Sequence, residues 1–160
     1  HFLFDMPVEK INVVVHPQSM IHSLVEYVDG SLISQMGEAD MSIPIAHALA
    51  YPERVISGAK SLDLTKMPIL TFEEPDLVAF PALRLAKESL VAGASHLVAL
   101  NAANEVFVEK FLQKQLRFVE ISDKLATILD NVTISNSALQ DEASLLAYDQ
   151  SIRLLAQKMI

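Results

Sequence analysis

Ser23-Leu24-Val25-Glu26-Tyr27-Val28-Asp29-Gly30-Ser31-Leu32-Ile33-Ser34-Gln35-Met36 decides the fold of the first third of this chain. Two short segments rich in β-branched and large apolar residues flank Asp-Gly. That dipeptide is a strong signal for a two-residue hairpin turn, because both central positions need positive φ. The implied register sets Tyr27 opposite Leu32, Val25 opposite Ser34 and Ser23 opposite Met36, so Tyr27, Leu32, Val25 and Met36 share one face. The opposite face mixes Leu24 and Ile33 with Glu26 and Gln35. Upstream, Ile11 to Val15 is a β-branched run that reads as a further strand, ended by Pro17.

Downstream the pattern changes from alternation to helical spacing. Gly37 to Asp40 reads as a loop, and Ser42 is a candidate cap for a short helix running from Ile43 or Pro44 to Pro52. Between Pro52 and Pro75 the periodicity is lost, with Gly58, Pro68 and Pro75 as punctuation. Val55, Ile56, Leu62, Leu64, Ile69, Leu70 and Phe72 make this an ordered linker anchored to a surface. After Pro81 four helices are expected. The first ends near Gly93; Ser95, Ser122 and Asp141 are candidate caps for the other three. Leu100, Ala103, Phe107 and Phe111, and later Leu145, Tyr148, Ile152, Leu155 and Met159, follow helical spacing. The reading is α+β: a small hairpin-containing sheet with a helix over residues 1–52, a linker over 53–75, and an antiparallel helical bundle over 76–160.

Composition sets bounds on function. With 160 residues and 51% hydrophobic content, the chain can bury a real core. A net charge of −8 disfavours nucleic acid or an anionic membrane as partner. There is no cysteine, which removes disulfides, thiolate metal sites and cysteine nucleophiles, and fits a cytoplasmic setting. No apolar run reaches the roughly 20 residues that span a bilayer. The chain opens on His1-Phe2-Leu3-Phe4, an apolar start without a cap, which reads as the interior of a helix and therefore as a piece of a longer protein.

His16 and His22 invite a metal reading. On one extended strand they would face the same side roughly 20 Å apart, at about 3.3 Å per residue, beyond the reach of one ion. Pro17-Gln18-Ser19 can bend the chain, yet no third ligand lies near in sequence. Structural histidines bonded to backbone groups are the default. Asn101 and Glu105 lie one helical turn apart on one side, placed to bond a neighbouring loop. Glu109, Lys110, Lys114 and Arg117 read as a solvated face, and His47 and His96 as isolated structural residues.

Several ordered words carry more than any of these alone: His16-Pro17-Gln18-Ser19-Met20-Ile21-His22-Ser23, Asp29-Gly30-Ser31, Gly37-Glu38-Ala39-Asp40-Met41, Pro44-Ile45, Tyr51-Pro52-Glu53-Arg54 and Leu100-Asn101-Ala102-Ala103-Asn104-Glu105. Together they resemble the C-terminal part of the 1-deoxy-D-xylulose 5-phosphate reductoisomerase family, over most of the chain. The resemblance implies an NADPH- and Mg²⁺- or Mn²⁺-dependent homodimeric enzyme acting on a sugar phosphate in isoprenoid precursor synthesis. It implies His22 and Ser19 as candidate catalytic residues and Met41 as a contact of the nicotinamide cofactor. The proline that often precedes Asp-Met in this family is Ala39 here, which bears on the stiffness of that loop. The family's metal carboxylates come from an Asp-x-Glu word and an Asn-Lys-Gly-x-Glu word, and neither occurs in this chain. The glycine-rich nucleotide fingerprint and the phosphate-holding serine, asparagine and lysine are also absent. No metal ligand is therefore assigned, and the chain alone is expected to bind neither NADPH nor metal and to be inactive. The alternative is a noncatalytic helical interaction or oligomerisation module, to be distinguished by whether a nucleotide-binding domain and the acidic triad lie upstream.

Overall fold

A computed structural model describes residues 3–139 and 141–160, with Ala138 described in its backbone alone. The chain divides into two compact units. One is Val13–Pro75; the other joins the residues up to Asn12 with Asp76–Ile160. The fold is α+β, as expected.

In the Val13–Pro75 unit, β1 (Ile21–Glu26) and β2 (Leu32–Met36) form a two-stranded antiparallel sheet. The turn differs from the expected one. Tyr27 N–H donates to Ser31 O and Gly30 N–H donates to Tyr27 O, so the loop is Val28-Asp29-Gly30 rather than Asp29-Gly30. A type I turn followed by a left-handed residue is the usual three-residue solution, and Gly30 supplies it at φ 82°. Asp29 selects it: one carboxylate oxygen accepts from both the backbone N–H and the hydroxyl of Ser31. Those bonds hold the Asp29 carboxyl below the usual carboxylate range.

The register therefore slips by one residue, pairing Val25 with Ile33, Leu24 with Ser34 and Glu26 with Leu32. Because strand faces alternate, the slip separates residues expected together. Val25 and Ile33 share one face; Leu24 and Leu32 lie on the other. A bulge between Ile21 and Ser23 makes His22 the extra residue of β1.

Ile11 to Val15 does not form a strand. Val8–Lys10 is a 3₁₀ turn, and only Val15 pairs, through an isolated antiparallel bridge to Glu73. Pro68 and Pro75 flank that partner segment and limit the ladder. Residues 53–75 thus belong to the same unit as the hairpin, and their apolar residues are less anchored than expected. Val55, Ile56, Leu64, Ile69 and Phe72 are exposed, leaving Leu62 and Leu70 half-buried. The helix α1 (Ser42–Ala50) starts one residue earlier than expected, and its leading N–H is held by Asp40, not by Ser42: the Asp40 carboxylate accepts from Ser42 N–H at 2.8 Å. The Tyr51–Pro52 bond that follows is cis.

The second unit holds the core. The helices are α2 (Ala82–Ala92), α3 (Ala94–Leu112), α4 (Phe118–Asp130) and α5 (Glu142–Lys158). The central helix is α3, which packs against the other three. Ala99, Ala102 and Ala103 are fully buried on it, and such small side chains let neighbouring backbones come close. Phe107 fills the middle, with Leu85 from α2, Leu125 and Ile128 from α4, and Ile152 and Ala156 from α5. Phe111 and Leu155, expected inside, are partly exposed at 37% and 42%.

The helix starts show what local reading can and cannot find. Asp141 caps α5 as expected, accepting from Ser144 N–H at 2.7 Å. Ser122 lies inside α4, whose start is Arg117, where the N–H donates to Glu120 in place of a serine cap. Ser95 is not a cap either. Its N–H and hydroxyl both donate to Asn136, which also donates to Ala92 O and so ties α2 to α3 across Gly93. Gly93 sits at φ 105°, and a Cβ there would lie 2.4 Å from the Asn136 amide.

Candidate functional site

The His16-to-His22 word folds as a turn followed by a bulge. Ser19 N–H donates to His16 O at 3.0 Å, closing a four-residue turn. Ser19 is left-handed at φ 50°. A non-glycine residue there costs on the order of 1–3 kcal/mol, and such a conformation persists where its surroundings over-determine it. His16 and His22 therefore do not sit on one extended strand.

Each imidazole has its own partners. His16 Nδ1 donates to Thr71 O at 2.8 Å, and its ring stacks on Phe72 with centroids 4.7 Å apart. His22 Nε2 donates to Ser19 O at 2.9 Å, and its Nδ1 meets the Gln35 amide at 3.2 Å. The Ser19 carbonyl can only accept, so Nε2 carries a proton. Gln35 presents its Oε1 to Nδ1, its Nε2 being taken by Met36 O at 3.2 Å. The bulge makes this contact possible. Bulges commonly re-aim a side chain, and here the ring of the extra residue reaches the Gln35 side chain. Neither ring nitrogen is free, so a role in proton transfer requires exchanging one of these bonds for a bond to substrate.

Met20 O accepts from Gly37 N–H at 3.0 Å, joining the end of the turn to the start of the Gly37–Asp40 loop. That loop and Met41 line an open depression whose other wall is Gly58, Ala59 and Lys60. Met41 is 70% exposed, which leaves its thioether available for a soft apolar contact. The hydrogen bond from Ser42 N–H helps hold the Asp40 carboxyl below its usual range. Among the described residues no hydrogen bond joins Met41 to Ser19 or His22. No group of three or more His, Asp or Glu side chains among them could hold a metal ion.

The Asn101-to-Glu105 word lies on α3 in the other unit. Asn101 donates to Glu105 at 3.0 Å, and Arg153 of α5 donates to the other Glu105 oxygen at 2.7 Å. Glu105 thus joins two helices and does not bond a loop. His96 meets the Ser95 hydroxyl at 3.3 Å, and His47 packs edge-on against Tyr51. Sequence reading missed Gln35 and Thr71. Gln35 becomes visible only once the register is known, and Thr71 only from a pairing 53 residues away.

Comparison with known proteins places this geometry. Residues 36–155 match the model of the DXP reductoisomerase C-terminal domain. The chain is 47% identical, over all of its length and 40% of the relative's, to a 1-deoxy-D-xylulose 5-phosphate reductoisomerase of Janthinobacterium sp. (strain Marseille). It is 60% identical over 122 residues, 76% of the chain and 32% of the relative, to the enzyme of that name from Chlorobaculum tepidum. A crystal structure of DOX-P reductoisomerase in complex with NADPH, fosmidomycin and magnesium superposes with a TM-score of 0.90 at 41% identity, covering 98% of this chain and 40% of that one. The Zymomonas mobilis reductoisomerase in complex with NADPH gives 0.88 at 43% identity, covering 98% and 41%. The chain spans about two fifths of the length of curated relatives that it matches throughout. It belongs to the 1-deoxy-D-xylulose 5-phosphate reductoisomerase family and carries the C-terminal domain of that family.

Proposed function

We propose that this chain is the C-terminal portion of an enzyme that isomerises and reduces 1-deoxy-D-xylulose 5-phosphate to 2-C-methyl-D-erythritol 4-phosphate. The supporting observation is whole-chain identity of 47% to a reductoisomerase. In that enzyme residues 1–52 belong to the end of the catalytic domain, 53–75 to an ordered connection and 76–160 to the helical domain. Bound to that enzyme, NADPH would supply hydride and Mg²⁺ or Mn²⁺ would supply Lewis-acid chemistry. The described residues do not fit a metal site, since no ligand group exists among them. The carboxylates and the nucleotide-binding fingerprint must come from outside this segment.

The work left to this chain is orientation. His22 is held by Ser19 O and Gln35, and it turns one ring nitrogen to a substrate hydroxyl. The Ser19 hydroxyl donates a hydrogen bond to the same substrate. Met41, exposed at the lip of its loop, packs against the nicotinamide. The enzyme works as a cytoplasmic homodimer on a small sugar phosphate.

The test is NADPH consumption by the full-length protein with 1-deoxy-D-xylulose 5-phosphate and MnCl₂ or MgCl₂. Substrate-dependent oxidation of NADPH, lost when the metal is chelated, supports the assignment. No turnover with either metal overturns it.

A further inference from the structure

We propose that Gln18 is a positioning residue for the candidate site, anchored by Thr71; this rests on the reductoisomerase reading above. Thr71 uses every polar group it has on the turn that carries Ser19. Its N–H donates to Gln18 Oε1 at 3.1 Å, and its hydroxyl oxygen accepts from Gln18 Nε2 at 2.9 Å. Its carbonyl accepts from His16 Nδ1 at 2.8 Å. Two residues on, Glu73 and Val15 exchange both backbone hydrogen bonds at 2.9 Å. The segment 71–73 therefore pins the approach to the turn at Val15, its first residue at His16, and its third at Gln18.

What the clamp fixes is the residue that follows. Ser19 is left-handed, a conformation that needs its neighbours to hold it. Its carbonyl direction sets where His22 Nε2 donates. Packing gives that hold little help at Ser19, because no hydrophobic residue of Val13–Pro75 is buried and the His16–Phe72 stack grips only the first residue of the turn. The hydrogen bonds of Gln18 to Thr71 are thus the means by which residues 71–73 set the Ser19 carbonyl, and through it the His22 ring. Gln18 itself points to Thr71, so it acts through Ser19 and His22 rather than on substrate.

The experiment compares Gln18→Leu, Thr71→Val and Thr71→Ser in the full-length protein. Gln18→Leu should lower kcat about ten- to a hundredfold, the scale of a small misplacement in a site. KM for NADPH should change less than about twofold and the melting temperature by no more than about 2 °C, as for a surface substitution. Thr71→Val keeps the backbone bonds and should fall between, while Thr71→Ser keeps them all and should restore wild-type kcat. Nitrogen-15 spectra of the imidazoles should show His22 losing its fixed hydrogen bond at Nε2 in Gln18→Leu. Wild-type kcat in Gln18→Leu, or a kcat loss that follows only the folded fraction, overturns the inference while leaving the function intact. An inactive wild type overturns the functional reading, and this inference with it.

Discussion

Arg153 on α5 donates to Glu105 on α3 at 2.7 Å while holding Asp149 of its own helix at 2.6 Å. One guanidinium thus serves two carboxylates and links the central helix to the last one. Its position suits its chemistry, because five fixed donors can satisfy two partners where a lysine would offer a single mobile charge.

The Arg153 hydrogen bond, then that of Asn101, holds the Glu105 carboxyl below its ordinary value of 4.5. A folded-state value below the unfolded one gives stability that is present above pH 4.5 and lost as pH falls through the depressed value. Glu105 is well exposed, so the effect is small. Urea unfolding of wild type and Glu105→Gln should therefore show wild type ahead at pH 7, with the gap narrowing as pH falls below 4.5. A difference that does not shrink at all as pH is lowered from 4.5 to full acid would show that the ion pair is not its source.

The Gly93–Asn136 junction offers a sharper test of helix packing. Gly93→Ala meets both a positive φ and the Asn136 amide 2.4 Å away, so it should cost more than about 1 kcal/mol. Asn136→Ala loses the bonds to Ser95 and Ala92 and should cost about 1–2 kcal/mol, as a lost cap does. Removing Asn136 also removes the clash. The double variant should be less destabilised than the sum of the singles, and strict additivity in denaturant midpoints would show that the amide does not confine Gly93.

These contacts mark the limit of what the sequence made legible. Helix periodicity after Pro81, the Asp141 cap and the existence of the hairpin depend on local spacing, and all were readable. The hairpin register was not, because the Asp29 carboxylate binding Ser31 selects a three-residue loop over the two-residue loop that Asp-Gly alone favours. Ser95 reads as a cap from its neighbours, yet its partner Asn136 stands 41 residues away. In the candidate site the ordered words point to Ser19, His22 and Met41 as candidates, by resemblance alone. Gln35 and Thr71 stayed hidden because register and a contact between distant segments bring them there.

His22→Gln in the full-length protein separates chemistry from architecture. Glutamine can keep one bond, to Ser19 O or to Gln35, but cannot serve as a titrating ring. Turnover should fall about 10²-fold, the scale of a lost proton-transfer or orienting group, with the melting temperature little changed. A large drop in melting temperature with normal turnover per folded molecule would make His22 a purely structural residue.

The isolated 160-residue chain should bind neither Mn²⁺ nor NADPH with micromolar affinity. Divalent ions need their carboxylates physically present, and the family words that supply them do not occur in this sequence. Isothermal calorimetry with MnCl₂ and with NADPH decides it. A micromolar heat of binding for either would place a site within these residues that the family pattern does not provide.

The same chain should self-associate through its hairpin. Among the described residues the sheet has two strands, so each has an outer edge whose N–H and C=O groups lack a strand partner there. Its faces are apolar as well. Val25 and Ile33 are a directly opposed pair at 56% and 60% exposure, with Leu24 and Leu32 at 40% and 61% on the reverse. An edge beside uncovered apolar faces is the arrangement that sheet proteins protect against pairing, and neither strand contains proline or lysine to blunt it. Sedimentation velocity at micromolar concentration should show a dimer or larger species, and Val25→Lys with Ile33→Lys should return it to monomer. The substituted pair places like charges opposite each other at the surface and leaves the buried helical core untouched. A wild-type monomer, or an assembly unaffected by the two lysines, would show that the hairpin is not the surface that joins the copies.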